Sequence, residues 1–347
     1  MRKGIVILIF LLLGVLLFIF TLKQVGIEAV KDAVFMLSFA QLALILLTLV
    51  SGLILVGSFR WRVIMKGAGV PVPRFGKLFL VRLVGFSLSY ITPAALLGGE
   101  PARFYLLRGE DEKRNNRLIA SIILDKMMQV LSASFFFFTG IFMLLFYLNL
   151  SWLIDVILVV ILLFVILIFI FLIKRIKKVS KEKGFFVSAF RVLYLNKIKK
   201  MKNMQDRFEE VEKEIRIFFH QPKIIILKCI LYTFVEVGFV LMVFWLIVFY
   251  MGNILTIPQV LVIRSMTDLS MAVPFPAALG TLEVTQAFVF DTFGMGAYTG
   301  VAMSLILRGV SLILVFIGLI IFAFFHLQGM IDRFGKKILK FIPKKIQ

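Results

Sequence analysis

Pro93-Ala94-Ala95-Leu96-Leu97-Gly98-Gly99-Glu100 returns later in the chain as Pro276-Ala277-Ala278-Leu279-Gly280-Thr281-Leu282-Glu283. Both stretches run P-A-A-L into glycine and reach a glutamate seven residues after the proline. An arginine in an apolar run precedes each (Arg82 and Arg264), and a long apolar segment with an internal charge follows. That charge lies 25 positions beyond the glutamate in both copies: Asp125 after Glu100, Arg308 after Glu283. Repetition of this kind, in interrupted apolar segments, is the pattern of a transporter built from repeats.

The surrounding composition agrees. The chain has 347 residues, of which 61% are hydrophobic, and a mean hydropathy of +1.03. Several runs exceed the roughly 18 to 20 apolar residues needed to cross a bilayer. The net charge of +21 would suggest nucleic acid in a soluble protein. Here the bases lie between spans with no aromatic-basic binding pattern, so membrane orientation and anionic headgroups account for them, and no nucleic-acid partner is expected. One cysteine, Cys229, excludes an internal disulfide framework and a thiolate cluster. The two histidines, His220 and His326, fall at predicted span ends and form no metal-ligand pattern. Neither a metal nor another cofactor is expected.

Loop charge predicts the topology. The segment 78–107 is apolar enough to cross, yet basic residues flank it on both sides: Arg60, Arg62, Lys66, Arg74 and Lys77 before, Arg103, Arg108, Lys113, Arg114 and Arg117 after. The positive-inside rule places both flanks in the cytoplasm, so the segment must enter and leave on one side. Proline and the Gly-Gly pair supply the reversal, because proline removes a backbone donor and glycine permits a tight turn. Such backbone survives at depth only where protein or a wet cavity covers it. This reads as a re-entrant helical hairpin, and 258–294 repeats it from the opposite face.

Full spans are expected at 5–20, 41–59, 118–148, 153–173, 222–250 and 297–327, with a surface amphipathic helix over 22–40. No small-residue cleavage site follows the first run, so it is read as a retained span. Six spans put both termini in the cytoplasm. The external loops then carry only Lys23 and Lys31, against fourteen basic residues in 174–221. Within that basic loop, Met204 to Phe219 is predicted to be a solvated helix lying against headgroups, with Glu209–Lys213 and Glu212–Arg216 in the favourable i,i+4 order. The fold class is an all-α polytopic membrane protein of two inverted repeats, 1–148 and 152–328, followed by a basic cytoplasmic tail, 329–347. Such an arrangement suits alternating access about a pseudo-two-fold axis.

Ionisable residues inside a membrane cost several kcal/mol unless paired or wetted, so they are the functional candidates. Arg82, Glu100, Arg103, Asp125, Arg264, Asp268, Glu283 and Arg308 gather in or beside the repeated elements. Symmetry predicts that Asp125 and Arg308 approach each other near the midplane, with the hairpin tips, Gly98-Gly99 and Gly280-Thr281, close to the same centre. Free N–H groups at the tips favour an anion such as phosphate. The competing reading is a structural ion-pair network, and for Arg82 and Arg264 a cap on a re-entrant helix. Lys126 is read as snorkelling to the cytoplasmic face, and Glu236, Lys228 and Asp291 as structural. No G-x-S-x-G, Walker, H-E-x-x-H or Asp-rich motif supports catalysis. Glu100 and Glu283 are paired carboxylates whose natural use here is proton coupling.

Thr92 to Arg108 (T-P-A-A-L-L-G-G-E-P-A-R-F-Y-L-L-R), Pro274 to Glu283 (P-F-P-A-A-L-G-T-L-E) and the final span with Arg308 resemble the flippase-like integral membrane proteins of the lysylphosphatidylglycerol synthase transmembrane-region family. The likeness covers essentially the whole chain. Family members often carry glycine where Ala94-Ala95 and Ala277-Ala278 stand here. The resemblance implies lipid handling. In two-part members the membrane region translocates the lipid that a fused soluble domain makes by transferring lysine from tRNA to phosphatidylglycerol. Some stand-alone relatives are linked to polyprenyl-phosphate sugar assembly at the cell surface. No soluble synthase domain is expected after the final span, so lysyl transfer is not expected of this chain alone.

The expectation is a multi-pass translocase of the cell membrane. It holds the anionic headgroup of a phospholipid or polyprenyl-phosphate lipid among Arg82, Gly98, Gly99, Glu100, Arg103, Asp125, Arg264, Gly280, Thr281, Glu283 and Arg308. A separate lipid-modifying enzyme is its candidate partner. The alternatives are the membrane subunit of such an enzyme, for example a phosphatidylglycerol lysyltransferase, and an ion-coupled transporter of a small anion.

Overall fold

In the computed structural model the described residues are 35–92, 98–147, 202–272 and 278–339, with a few isolated helical positions before 35 and at 156 and 160. They contain α-helices and one π-helical turn. Helix α1 (Phe39–Val50) passes through a π turn (Ser51–Val56) into α2 (Gly57–Gly67); α3 is Phe75–Ile91, α4 Gly99–Leu107 and α5 Glu112–Tyr147. In the second half α6 is Lys202–Phe219, α7 Lys223–Tyr250, α8 Ile257–Ala272, α9 Thr281–Thr292 and α10 Ala297–Leu339.

Helix starts follow local chemistry. Ser38 and Gln41 form a reciprocal capping box at α1, with the Ser38 N–H donating to Gln41 Oε1 at 2.8 Å. The Thr256 N–H donates to Gln259 Oε1 at 2.8 Å ahead of α8, where Pro258 occupies the first turn. Asp111 accepts from the backbone N–H groups of Lys113 and Arg114 and so caps α5.

Among the described residues four helices are long and apolar enough to cross a membrane: Phe39–Gly67, Glu112–Leu144, Lys223–Tyr250 and Ala297–Phe325. They correspond to four of the six expected spans. The other two, 5–20 and 153–173, lie outside the described residues, as do most of the connector 22–40, the basic stretch 174–201 and the end of the tail. Apolar side chains such as Phe135, Leu231, Phe234 and Phe316 face outward, while Arg60, Asp125, Glu283 and Gln286 are fully buried. This inversion of the soluble pattern is what a hydrocarbon surrounding dictates.

The helices α3, α4, α8 and α9, of 17, 9, 16 and 12 residues, are each shorter than the roughly 20 residues a span requires. They pair as two helical hairpins. In the first, α4 turns back along α3, where the Gly99 N–H donates to Ser89 Oγ at 2.9 Å. A Cβ on Gly99 would overlap the Gly85 carbonyl. In the second, Gln286 on α9 donates to Thr267 Oγ1 and the Ile263 carbonyl on α8, at 3.0 and 3.3 Å. Residues 93–97 and 273–277, the centres of the P-A-A-L stretches, lie outside the described residues.

The hairpins pack crosswise between the halves. Helix α3 lies against α10, where Ser87 Oγ donates to the Leu314 carbonyl at 3.2 Å beside Gly318. Helix α8 lies against α5, where Ser265 Oγ donates to the Phe136 carbonyl at 2.8 Å and Gly140 meets the Leu261 carbonyl. Small residues and hydroxyls at crossing points are how helices approach closely without a hydrophobic drive.

Two expectations are corrected. The second span was to end at Phe59, with Arg60, Arg62 and Lys66 in a loop. The helix instead continues to Gly67, because Arg60 finds buried carboxylates and no longer needs water. The helix expected at 204–219 is present as α6, but it is docked rather than solvated. Val211, Ile215 and Phe218 are buried, Phe218 against Gly67. Asn116 hydrogen-bonds Glu210, and Arg117 meets Glu214 at 3.3 Å.

Candidate functional site

Asp125 is the centre of the first buried cluster. Its Oδ1 accepts from Arg60 Nε at 2.8 Å, and its Oδ2 from Arg82 Nη1 and Arg103 Nη2, both at 2.9 Å. Glu236 on α7 takes the remaining faces of two of these arginines, with Arg60 Nη1 at 2.5 Å and Arg82 Nη2 at 3.4 Å. Arg103 also lies flat on Trp61, 3.8 Å from the ring centre. Each charge comes from a different helix, so the cluster ties α2, α3, α4, α5 and α7 together.

Local backbone makes room for it. Arg82 Nε donates to the Leu53 carbonyl, at 2.7 Å, inside the π turn. A π turn widens the helix and frees a carbonyl that α geometry would occupy. Gly57 faces the Arg82 guanidinium, which a Cβ would overlap.

The second group sits at the other hairpin. Glu283 Oε1 accepts from Arg308 at 2.6 Å (Nη2) and 3.2 Å (Nε). Its Oε2 accepts from the Gly280 N–H at 2.8 Å. One carboxylate therefore satisfies an orphan donor at the start of α9 and holds α10 against it. Arg308 also reaches the Ala278 carbonyl at 3.5 Å. The turn uses left-handed backbone at Gly280 (φ 80°) and at Ala278 (φ 51°), and Thr281 Oγ1 donates to the Ala278 carbonyl at 3.0 Å.

The corresponding pair in the first half is Glu100–Lys126, at 3.3 Å. The counterpart of Arg308 is thus Lys126, one position past Asp125, and Lys126 is engaged rather than snorkelling. The anticipated meeting of Asp125 with Arg308 is replaced by these pairings, each made within its own half. Arg264 pairs with Asp268 at 2.9 Å on α8.

Between the hairpins and the long helices lies a cavity of about 330 Å³. Its charged wall is Lys126, Glu236, Arg264, Asp268 and Arg308, and its apolar wall includes Leu49, Phe86, Val240 and Phe244. A smaller pocket of about 90 Å³ adjoins it and is lined by Arg82, Gly99, Glu100 and Arg103, with Lys126 and Gln129 common to both. Gly98 opens α4 with Thr92 against it.

Of the expected residues, Arg82, Arg103 and Asp125 share one cluster, and Gly280, Glu283 and Arg308 share another. Arg60 and Glu236 were missed as site residues. The signal for Glu236 was its place inside an apolar run. For Arg60 the adjoining Arg62 and Lys66 imitated a loop.

Comparison with known proteins identifies the family. The family model described as "Lysylphosphatidylglycerol synthase TM region" matches residues 5–318. A UPF0104 membrane protein of Methanocaldococcus jannaschii is 26% identical over 283 residues, covering 79% of this chain and 80% of that relative. A UPF0104 membrane protein of Pyrococcus horikoshii is 26% identical over 319 residues, covering 87% and 91%. No solved structure matches the chain. With buried charges on apolar helices and a family match over most of its length, this membrane protein belongs to the lysylphosphatidylglycerol synthase transmembrane-region family.

Proposed function

We propose that the protein is a lipid translocase of the cell membrane. It moves a phospholipid or polyprenyl-phosphate-linked lipid between leaflets, with the headgroup passing through the central cavity. The observation that carries this reading is the mixed wall of that cavity, where Lys126, Arg264 and Arg308 stand beside Phe86, Val240 and Phe244. A volume of about 330 Å³ suits a headgroup rather than a whole lipid. Acyl or prenyl chains then stay in the surrounding bilayer.

In this reading 1–148 and 152–328 are inverted repeats with six spans, and both termini are cytoplasmic. The hairpins 78–107 and 258–294 are re-entrant from opposite faces. Alternating exposure of the cavity follows from rocking one half against the other. Arg308 binds the phosphate, and Glu283 returns to it when the headgroup leaves.

The test uses purified protein in proteoliposomes with labelled lipid. The double variant Glu283→Gln/Arg308→Gln keeps the pair neutral, so it is expected to fold with near-wild-type thermal stability while losing at least tenfold in transbilayer movement. Undiminished movement removes Arg308 from the mechanism. Ion-dependent uptake of a soluble phosphate without lipid movement, or the appearance of a new aminoacyl lipid, replaces the translocase reading with one of its alternatives.

A further inference from the structure

Around the two adjoining pockets the described charges do not balance. Six cations, Arg60, Arg82, Arg103, Lys126, Arg264 and Arg308, face five carboxylates, Glu100, Asp125, Glu236, Asp268 and Glu283. The excess is one positive charge, and it falls in the first cluster, where three arginines share two acids. Lys228 and Asp291 are exposed on the outer surface and line neither pocket. In a low-dielectric surrounding an uncompensated charge is far costlier than in water, so an occupant of opposite charge is favoured.

The unsatisfied atoms define the occupant further. At the small pocket the buried Arg103 Nε and Glu100 Oε2 have no hydrogen-bond partner, and Arg103 is only 5% exposed. At the large cavity the same is true of Arg264 Nε and Asp268 Oδ2, and of Glu236 Oε2, which is held only as an ion pair by Arg60. The wall of each pocket thus holds a covered N–H donor and at least one covered carboxylate oxygen, which a headgroup satisfies by turning these side chains inward, the first with a phosphate oxygen and the second with a donor of its own. An amine would supply that donor but would also add a positive charge, raising a phosphodiester headgroup to zero. Hydroxyl groups supply it without charge.

Resting on the translocase reading, we infer that the substrate is a monoanionic phosphodiester lipid whose headgroup carries free hydroxyls. The class excludes zwitterionic amines, dianionic phosphomonoesters and the net-cationic lysyl ester of phosphatidylglycerol. A glycerol headgroup on a diacyl lipid and a sugar on a polyprenyl phosphate share this chemistry. The lipid tail then distinguishes these two sources.

The proteoliposome assay is run with five labelled lipids: phosphatidylglycerol, a polyprenyl phosphoryl-hexose, phosphatidylethanolamine, lysylphosphatidylglycerol and polyprenyl monophosphate. At least one of the first two is expected to move about tenfold faster than each of the last three. Arg103→Gln, which removes the excess charge, is expected to narrow that preference by raising phosphatidylethanolamine relative to the anionic lipid. Asp268→Asn, which adds a net charge, is expected to favour polyprenyl monophosphate. A purely structural role would lower all five rates together.

Equal or faster movement of phosphatidylethanolamine or lysylphosphatidylglycerol by the wild type overturns the inference while leaving translocation standing. Selective binding of the hydroxylated anionic lipid in detergent, seen by native mass spectrometry with no movement in vesicles, supports the inference and sinks the translocase reading instead.

Discussion

A carboxylate that meets three guanidinium groups has little in common with a surface ion pair. Asp125 is fully buried, and its two oxygens hold Arg60, Arg82 and Arg103 at 2.8 to 2.9 Å. Removing one partner of a buried pair leaves charge stranded and costs about 3–5 kcal/mol. Asp125→Ala is therefore expected to lose at least that much stability, read as a large drop in melting temperature in detergent. Asp291→Ala, at an exposed position, should stay within about 0.5 kcal/mol of wild type. Equal melting of the two variants would show that Asp125 is not a structural hub. At this scale the sequence was half legible. A charge in an apolar run announces itself, so Arg82, Asp125, Glu283 and Arg308 stood out. Their partners lie 22 to 154 residues away in the first cluster, and no local pattern encodes such a distance. Arg60 was disguised by neighbouring bases, and Glu236 had no repeated motif to mark it.

At the scale of the element, the hairpins depend on unusual backbone at one turn. Ala278 occupies the left-handed region at φ 51°, a conformation that costs an L-residue roughly 1 kcal/mol relative to glycine. Its carbonyl accepts from Thr281 and from Arg308, and those contacts hold it there. Ala278→Gly is expected to relieve the strain and leave stability unchanged or raised by at most about 0.5 kcal/mol, since glycine's greater unfolded-state freedom offsets most of the gain. Ala278→Val, by contrast, should lower the melting temperature. A marked loss of stability in the glycine variant would mean that its methyl group packs more than its backbone strains. The two P-A-A-L stretches fall between α3 and α4 and between α8 and α9, so the sequence marked where the short paired helices lie. The docking of α6 was not legible, because its charged face follows the period of any surface helix and its partners lie far back in the chain, 94 and 97 residues away on α5 and further still on α2.

Across the whole molecule, each hairpin leans on the long helix of the opposite half, α3 on α10 and α8 on α5. Such crossing means that neither half can rotate without sliding at both contacts. Ser87 and Gly318 face each other across the first one. Gly318→Val, whose Cβ would overlap the Ser87 hydroxyl, is expected to push α3 from α10 and to lower both the melting temperature and lipid movement, with partial recovery of both when Ser87→Gly is added. Full transport retained in Gly318→Val would place the moving surface elsewhere. The four described spans were legible from hydropathy alone. The crosswise packing was not, because helix contacts between halves are set by small residues scattered along apolar runs.

The π turn at Ser51–Val56 has a developmental meaning as well as a geometric one. A wide turn of this kind is what an α-helix becomes when one residue is inserted and the flanking turns keep their alignment. Deleting a residue there would restore ordinary winding and leave the helix beyond it facing as before. Arg60 would still point toward Asp125, but the Leu53 carbonyl would be taken up by its own helix and no longer offered to Arg82. The extra residue of this turn thus adds a backbone acceptor to the charge network without changing the direction of any side chain after it.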